Sequence, residues 1–312
     1  MNNSKNKKKR KKPYIAGLAA LEFKVQYDWE YKEAKNLYEN AFFEIPIDRI
    51  IFKDCIKGMD KLPENFVDLI IADPPFGINF DGKGSQYNRD SGFVIEGYNE
   101  VLKNYNNFTL NWISRLPRIM KETASAFIFS GWNNLKDILI AIERANLKVI
   151  NHIIWKYQFG VFTKKKFVTS HYHILFVVKN LKKYFFNKIE HYPLDVWEIP
   201  RIYRPGQKKN STKLPEKLVM KCIDFCSKPG DLIFDPFMGN GTTAYCAKSR
   251  FRHFLGFEIN KNMKQMLKQV IEKTKAGELY QPYKTFLPSK EEIIKKYPHL
   301  RKLINNGRNI KV

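Results

Sequence analysis

With 312 residues, 44% apolar side chains, 24 Phe, 16 Tyr and 5 Trp, the chain is long enough for one large α/β domain or two ordinary ones, and too hydrophobic for wholesale disorder. No apolar run reaches the length of a membrane span and the basic amino-terminal stretch precedes no apolar segment; with only four cysteines, this fits a protein kept in a reducing cytoplasm. The net charge of +24, of which seven cations between Lys5 and Lys12 leave +17 on the remainder, points to a phosphate-rich partner. A membrane surface fits less well, because no basic amphipathic helix stands out.

In chain order, residues 1–20 read as a solvated basic arm and 21–49 as an extension. Apolar, β-rich runs follow at 49–52, 67–72, 124–130, 149–155, 173–178, 232–235 and 253–258, with helical periodicity at 110–121, 135–145, 215–226, 242–249 and 261–276. Several runs are apolar throughout, as expected of strands covered by helices on both faces, and the alternation predicts a wound α/β sheet. Three stretches break it. Residues 77–107 are long, polar and rich in Gly, Asn and Tyr, and read as a mobile loop beside a site; 179–210 interleave basic and aromatic side chains; 277–312 form a basic tail with one helical pattern at 290–296.

Two constellations carry chemistry. In Ile70-Ile71-Ala72-Asp73-Pro74-Pro75-Phe76, a hydrophobic strand runs into a carboxylate, two prolines and a ring. Proline cannot donate to a ladder and restricts the residue before it, so the strand ends there in a stiffened chain. Such a turn presents the Asp73 carboxylate and the Pro74 carbonyl as rigid acceptors beside the flat wall of Phe76, which suits a planar amine; the bland alternative is an ordinary turn. In the second, a strand ends at Asp235-Pro236-Phe237, a loop carries Gly239 and Gly241, and a helix begins at Thr242 and Thr243. Glycines permit a tight turn and close approach, and the helix start offers unpaired N–H groups to a polar ligand. The next strand ends at Glu258, an acid able to accept both hydroxyls of a ribose. These glycines with Glu258 also fit a dinucleotide fingerprint, making an NAD-binding oxidoreductase the rival reading; Asp235-Pro236-Phe237 directly before them and the lack of an evident hydride-site pair stand against it.

Together the two constellations resemble the amino-directed DNA methyltransferases that use S-adenosylmethionine, in the permuted β group where the catalytic half precedes the cofactor half. The likeness spans roughly residues 50–264. It implies a Rossmann-like methyltransferase fold, a doubly wound, mostly parallel seven-stranded sheet. Residues 50–178 would form the catalytic half, 179–210 a target-recognition region, 211–276 the cofactor-binding half and 277–312 a carboxy-terminal extension. Asp73, Pro74, Pro75 and Phe76 would be catalytic. Asp235, Pro236, Phe237, Gly239, Gly241, Thr242, Thr243 and Glu258 would hold the cofactor, with Asp54 near its adenine and Lys213 near its methionine end. The family more often has Tyr in place of Phe76, and Lys-Pro adjacent where Leu214 here separates Lys213 from Pro215.

The resemblance implies transfer to the exocyclic N6 of adenine in duplex DNA, with the base flipped out of the stack. Cytosine N4 is the alternative, and the Asp at the head of the tetrapeptide leans toward adenine. An RNA or protein-glutamine methyltransferase, or a catalytically silent nucleic-acid-binding module, are more distant readings. Lys164, Lys165, Lys166, Lys182, Lys183, Arg201 and Arg204 are candidate DNA contacts, with residues 81–105 and 160–169 closing around the base. Expected partners are double-stranded DNA and a cognate restriction endonuclease, the chain itself being a monomer or homodimer. No metal is expected: Cys222 and Cys226 share a helix face without further ligands, so they read as core. No cysteine sits in a Pro-Cys turn, which rules out C5-cytosine chemistry. His171 and His173 point to the same side of their strand, in structural or base-adjacent roles.

Overall fold

The computed structural model describes residues 18–76, 104–160, 162–201 and 213–301. Most of the 77–107 loop, Arg204 and the Ser211–Thr212 approach to Lys213 lie outside the described residues. The chain forms two compact units, one of residues 29–187 with 194–282, the other containing 18–28, 188–193 and 283–301.

The larger unit is built on eight strands: β1 (Arg49–Phe52), β2 (Val67–Ala72), β3 (Met120–Ser130), β4 (Lys148–Lys156), β5 (His171–Val178), β6 (Val196–Glu198), β7 (Leu232–Asp235) and β8 (His253–Glu258). They lie in the order β1-β8-β7-β2-β3-β5-β4-β6. Only β5 runs against its neighbours, β3 and β4; the other pairings are parallel. The expected seven strands are present, and β6 is an eighth. It is three residues long, with Val196 and Glu198 exposed, too short and too polar to stand out by periodicity.

The described helices are α1 (Leu18–Leu21), α2 (Tyr31–Glu39), α3 (Cys55–Met59), α4 (Tyr105–Ile113), α5 (Leu116–Ile119), α6 (Leu135–Arg144), α7 (Glu216–Cys226), α8 (Thr242–Ser249), α9 (Lys264–Lys273) and α10 (Lys290–Lys296). All six residues of β2 are buried, as its unbroken apolar run requires of a strand covered twice. On one face Ile70, Ala72, Phe234 and Leu255 pack with Trp112 of α4 and Ile138, Ala141 and Ile142 of α6. Helices α7 and α8 pack together and contact β2 and β7. Cys222 and Cys226 are buried on the inner stripe of α7 beside Leu218, Val219 and Ile223. A hydrogen-bonded cluster ties α2 to the sheet, where the His253 ring stacks on Tyr38 at 4.1 Å and its Nδ1 lies 2.7 Å from an Asp48 oxygen.

In the smaller unit, Leu21, Ile293 and Leu300 form a miniature core. Its α10 starts on a capping box between Ser289 and Glu292. No helix among the described residues is long and apolar enough to cross a membrane.

Candidate active site

Parallel pairing of β2 with β7 sets the geometry. Leu69 lies opposite Ile233 and Ile70 opposite Phe234, so both strands release the chain at the same edge of the sheet. From β2 the chain leaves into Asp73-Pro74-Pro75-Phe76; from β7 it leaves through Asp235 into the glycine loop. Next to this seam the connections diverge, β7 leading to β8 on one side and β2 to β3 on the other. A crevice at such a switch point is where open α/β sheets bind ligands.

The loop after β7 is held by two carboxylates. Asp235 is buried; one oxygen accepts the Phe237 N–H at 2.8 Å and the other accepts the Thr243 hydroxyl at 2.6 Å. Burial pushes its carboxyl up to about 7, against the lowering effect of those two hydrogen bonds. Glu258 ends the neighbouring strand; its oxygens accept the Gly239 N–H at 2.9 Å and the Asn260 N–H at 2.7 Å, and burial raises its carboxyl as well. The Met238 N–H donates to the Phe257 carbonyl at 2.8 Å, closing the loop onto β8. Gly239 and Gly241 take positive φ, +50° and +75°. A side chain on Gly239 would meet nothing nearer than the Phe237 carbonyl at 3.7 Å, so this backbone lies bare. Gly241 is different: its absent Cβ leaves room for Leu267 of α9, which would stand only 2.8 Å away.

Asp54 follows β1 at the same edge, since Phe52 lies opposite Glu258. Its carboxylate caps α3 by accepting the Lys57 N–H at 3.0 Å. Lys213 pairs with Glu216 at 3.1 Å and lines an open groove of about 330 Å³ with Asn240, Gly241, Thr242 and Tyr245. Phe237 turns its ring edge-on against Trp112, 5.2 Å between centroids, and thereby packs the glycine loop on α4.

At the other lip, Pro74 is buried and Asp73 half-buried. Tyr105 at the start of α4 lies within electrostatic reach: burial first, then the charges of Asp137 and Asp73, hold its phenol well above the usual range. Asn134 donates its side-chain amide to the Phe76 carbonyl. The Phe76 ring meets Tyr172 at 5.1 Å, and the Arg201 guanidinium sits over Tyr172 at 4.7 Å and Tyr157 at 4.0 Å. Gln158 fixes Arg201 by bonding both its N–H and its carbonyl. Tyr172 is the link that sequence reasoning missed. Its position between His171 and His173, on the opposite face of β5, is the one signal that could have found it.

The edge gathers Asp73 to Phe76, Asp235 to Thr243, Glu258, Asp54 and Arg201, with Lys164, Lys165 and Lys166 exposed on the loop joining β4 to β5. It does not gather Lys182 and Lys183. They follow the far end of β5, where Lys183 approaches Glu122 at 4.0 Å. His171 and His173 do face one way, and His173 meets the His152 ring nitrogen at 2.7 Å, burial lowering its imidazole to about 4.

Comparison with known proteins identifies the family. Type II methyltransferase M.HinfI of Haemophilus influenzae is 30% identical over 233 residues, 68% of this chain and 65% of its own length. Type II methyltransferase M.HpaI of Haemophilus parainfluenzae is 28% identical over 71% of this chain and 73% of its own. The chain thus spans about two thirds of the length of these relatives. The crystal structure of the M1.HpyAVI–SAM complex superposes with a TM-score of 0.54 at 25% identity, covering 72% of this chain and 98% of that one. Residues 67–269, from β2 into α9, match the family model of the N6/N4 DNA methylases, and the chain belongs to that family.

Proposed function

We propose that the protein is a site-specific DNA methyltransferase that moves a methyl group from S-adenosylmethionine to the exocyclic N6 of adenine in duplex DNA, as the modification partner of a restriction system. The observation that carries this reading is the β2–β7 ladder, which opens the Asp73 turn and the glycine loop onto one crevice. The kinship to two type II methyltransferases supports the DNA substrate and the restriction context.

The glycine loop and its neighbours fit the cofactor. S-Adenosylmethionine supplies an electrophilic methyl group carried on a positively charged sulfur. Bare backbone at Gly239 admits close approach, and the first N–H groups of α8, from Thr242 and Thr243, face a polar end. The Glu258 carboxylate accepts the backbone N–H groups of Gly239 and Asn260 and, with about four lone-pair sites, keeps capacity for a ribose hydroxyl. Asp54 serves the adenine end and Lys213 offers a cation to the carboxylate end. Asp235, tied to Phe237 and Thr243, holds the loop in shape.

On the other lip, the task is to make an amine nucleophilic. The lone pair of an exocyclic amine is delocalised into its ring. If the Asp73 carboxylate and the Pro74 carbonyl each accept one N–H, the nitrogen is held toward tetrahedral geometry with its lone pair aimed across the crevice. Asp73 stabilises the positive charge that develops there, and the proton leaves afterwards to water or to the carboxylate. Phe76, braced by Tyr172, offers a face for the extruded base, and stacking offsets part of the few kcal/mol that extrusion costs. Arg201 beside Tyr172 and Lys164 to Lys166 supply cations for the phosphates.

Tritiated S-adenosylmethionine tests this directly. Wild-type protein labels duplex DNA, and Asp73→Ala lowers the transfer rate by at least about 100-fold, the scale of losing one group that stabilises transition-state charge, while cofactor affinity stays within about threefold. Equal labelling by both overturns the catalytic assignment. Digestion of the product to nucleosides gives N6-methyl-2′-deoxyadenosine if the reading is right and N4-methyl-2′-deoxycytidine if the target is cytosine.

A further inference from the structure

The loop joining β4 to β5 has a second feature, which the DNA reading leaves unused. Its two arms continue the ladder beyond the sheet: the Tyr157 N–H donates to the Ser170 carbonyl at 2.9 Å, one step past the Lys156–His171 pair. Gly160 then presses on the other arm, where a Cβ would stand 2.0 Å from the Thr169 carbonyl. The two arms thus stay in contact past the sheet, and the residues between them lie at the edge that carries Phe76. At the tip Thr163 donates its hydroxyl to the Lys166 carbonyl, closing a tight turn. Lys164, Lys165 and Lys166 are exposed there, and two phenyl rings flank them: Phe162 is 79% exposed and Phe167 99%.

A phenyl ring almost wholly in water at the tip of a loop is a poor choice for stability. Three adjoining lysines also make the tip a poor partner for an ordinary apolar protein surface or for a second copy of a chain whose net charge is +24. Lysines beside an aromatic wedge match duplex DNA, where phosphates lie within a few ångströms of stacked bases. Resting on the DNA-methyltransferase reading, the geometry points to Phe167 as a wedge that enters the duplex and fills the space left when the target base is extruded. Lys164, Lys165 and Lys166 hold the flanking phosphates, and Phe162 covers the neighbouring sugar. Phe167 is a positioning residue: it touches neither cofactor nor reacting amine, and it acts by keeping the base out of the stack.

Full-length wild type, Phe167→Ala, Phe167→Trp and a Lys164/165/166→Ala triple variant are compared for tritium transfer at saturating genomic DNA of mixed sequence, and for DNA affinity across a salt series. Phe167→Ala should lose tenfold or more in transfer rate while DNA and cofactor affinity change less than twofold. Phe167→Trp should recover to within about threefold of wild type, because a larger flat ring still stacks. The lysine variant should bind DNA more weakly, with a salt slope shallower by up to roughly 2.7, that is about 0.9 for each lost phosphate contact. A wild-type rate for Phe167→Ala, or a Trp variant no better than Ala, overturns the wedge while leaving the methyltransferase standing. A wild type that binds cofactor and labels no DNA overturns the parent reading, and the wedge with it. A full-length chain that loses a dimer on Phe167→Ala shows a self-interface instead.

Discussion

Gly256 in β8 is the sharpest place to disturb the glycine loop from below. It lies directly opposite Asp235 in the β7–β8 ladder. A Cβ built there would sit 2.2 Å from the Met238 Cε and 2.7 Å from the Asp235 carbonyl oxygen. The methionine end is flexible but only 3% exposed, so it has no free volume to enter, and the carbonyl is part of the strand. Gly256→Ala therefore overpacks the seam, at about 1–3 kcal/mol. If the loop lifts, the Met238 N–H to Phe257 carbonyl bond is lost as well, about 0.5–1.5 kcal/mol more. The loop that moves is the one proposed to receive S-adenosylmethionine. Isothermal titration should show cofactor affinity falling roughly ten- to a hundredfold, equivalent to about 1.4–2.8 kcal/mol, together with a lower melting temperature. Gly239→Ala is the matched control for the melting temperature alone. It bears the strain of φ +50° but has nothing within 3.7 Å of its Cβ, so it should cost only about 1–2 kcal/mol and no packing. A Gly256→Ala protein that melts and binds cofactor like wild type would refute the argument that this glycine makes room for the loop.

Two further perturbations test the scaffold. Because burial lifts the Asp235 carboxyl to about 7 from 3.8, the folded chain keeps a proton that the unfolded chain releases; that stabilisation is complete below about pH 4 and fades as pH rises through 7. Asp235→Asn cannot titrate, so its stability relative to wild type should climb between pH 5 and 8 by roughly 2–4 kcal/mol, and a gap that stays flat in urea titrations at both pH values sinks the reasoning. Asp68→Ala should lower the urea-unfolding free energy by about 2–4 kcal/mol, since it unpairs Lys121 and strips an acceptor from the Leu232 N–H at 3.0 Å; a change below about 0.5 kcal/mol would show that these bonds do not hold the seam.

The strands nearest the crevice were legible because burial on both faces leaves a continuous apolar run bounded by turn residues. β1, β2, β7 and β8 match their expected limits residue for residue, as does α8. Failures occurred where local chemistry and tertiary pairing disagree. The helix expected at 110–121 stops at Ile113; Pro117 lies in the first turn of a separate short helix, α5, and Met120 already pairs with Val67 in β3. The polar Lys121-Glu122-Thr123 hid that early start. The helix expected at 261–276 begins as a 3-10 turn and ends at Lys273, where the Thr274 hydroxyl bonds to the Val270 carbonyl. At the site, residues with a motif were found and residues that merely support one were not. Nothing in a linear pattern says that Tyr172 will brace Phe76, that Gly256 will make room for Met238, or that Lys182 and Lys183 will follow β5 to the far end of the sheet.

That distinction bears on how two distant segments make one site. The ladder between β2 and β7 pairs only Leu69 with Ile233 and Ile70 with Phe234, too short a contact to fix the crevice by backbone bonds alone. Side chains complete it at both ends. At the base, Asp68 of β2 accepts the Leu232 N–H of β7 and the Lys121 ammonium of β3, so three strands share one carboxylate. At the mouth, the Phe237 ring of the glycine loop lies edge-on to Trp112, which is wholly buried on α4. The loop cannot swing outward without uncovering that indole, and α4 cannot retreat without releasing the loop. The same helix begins at Tyr105, within reach of the Asp73 charge. The Phe237–Trp112 contact and the Asp68 carboxylate thus add to the short ladder in holding the glycine loop beside the Asp73 turn. This is why the order of the two halves along the chain is immaterial to the chemistry: what the reaction needs is that these strands be neighbours and parallel, and the seam supplies both.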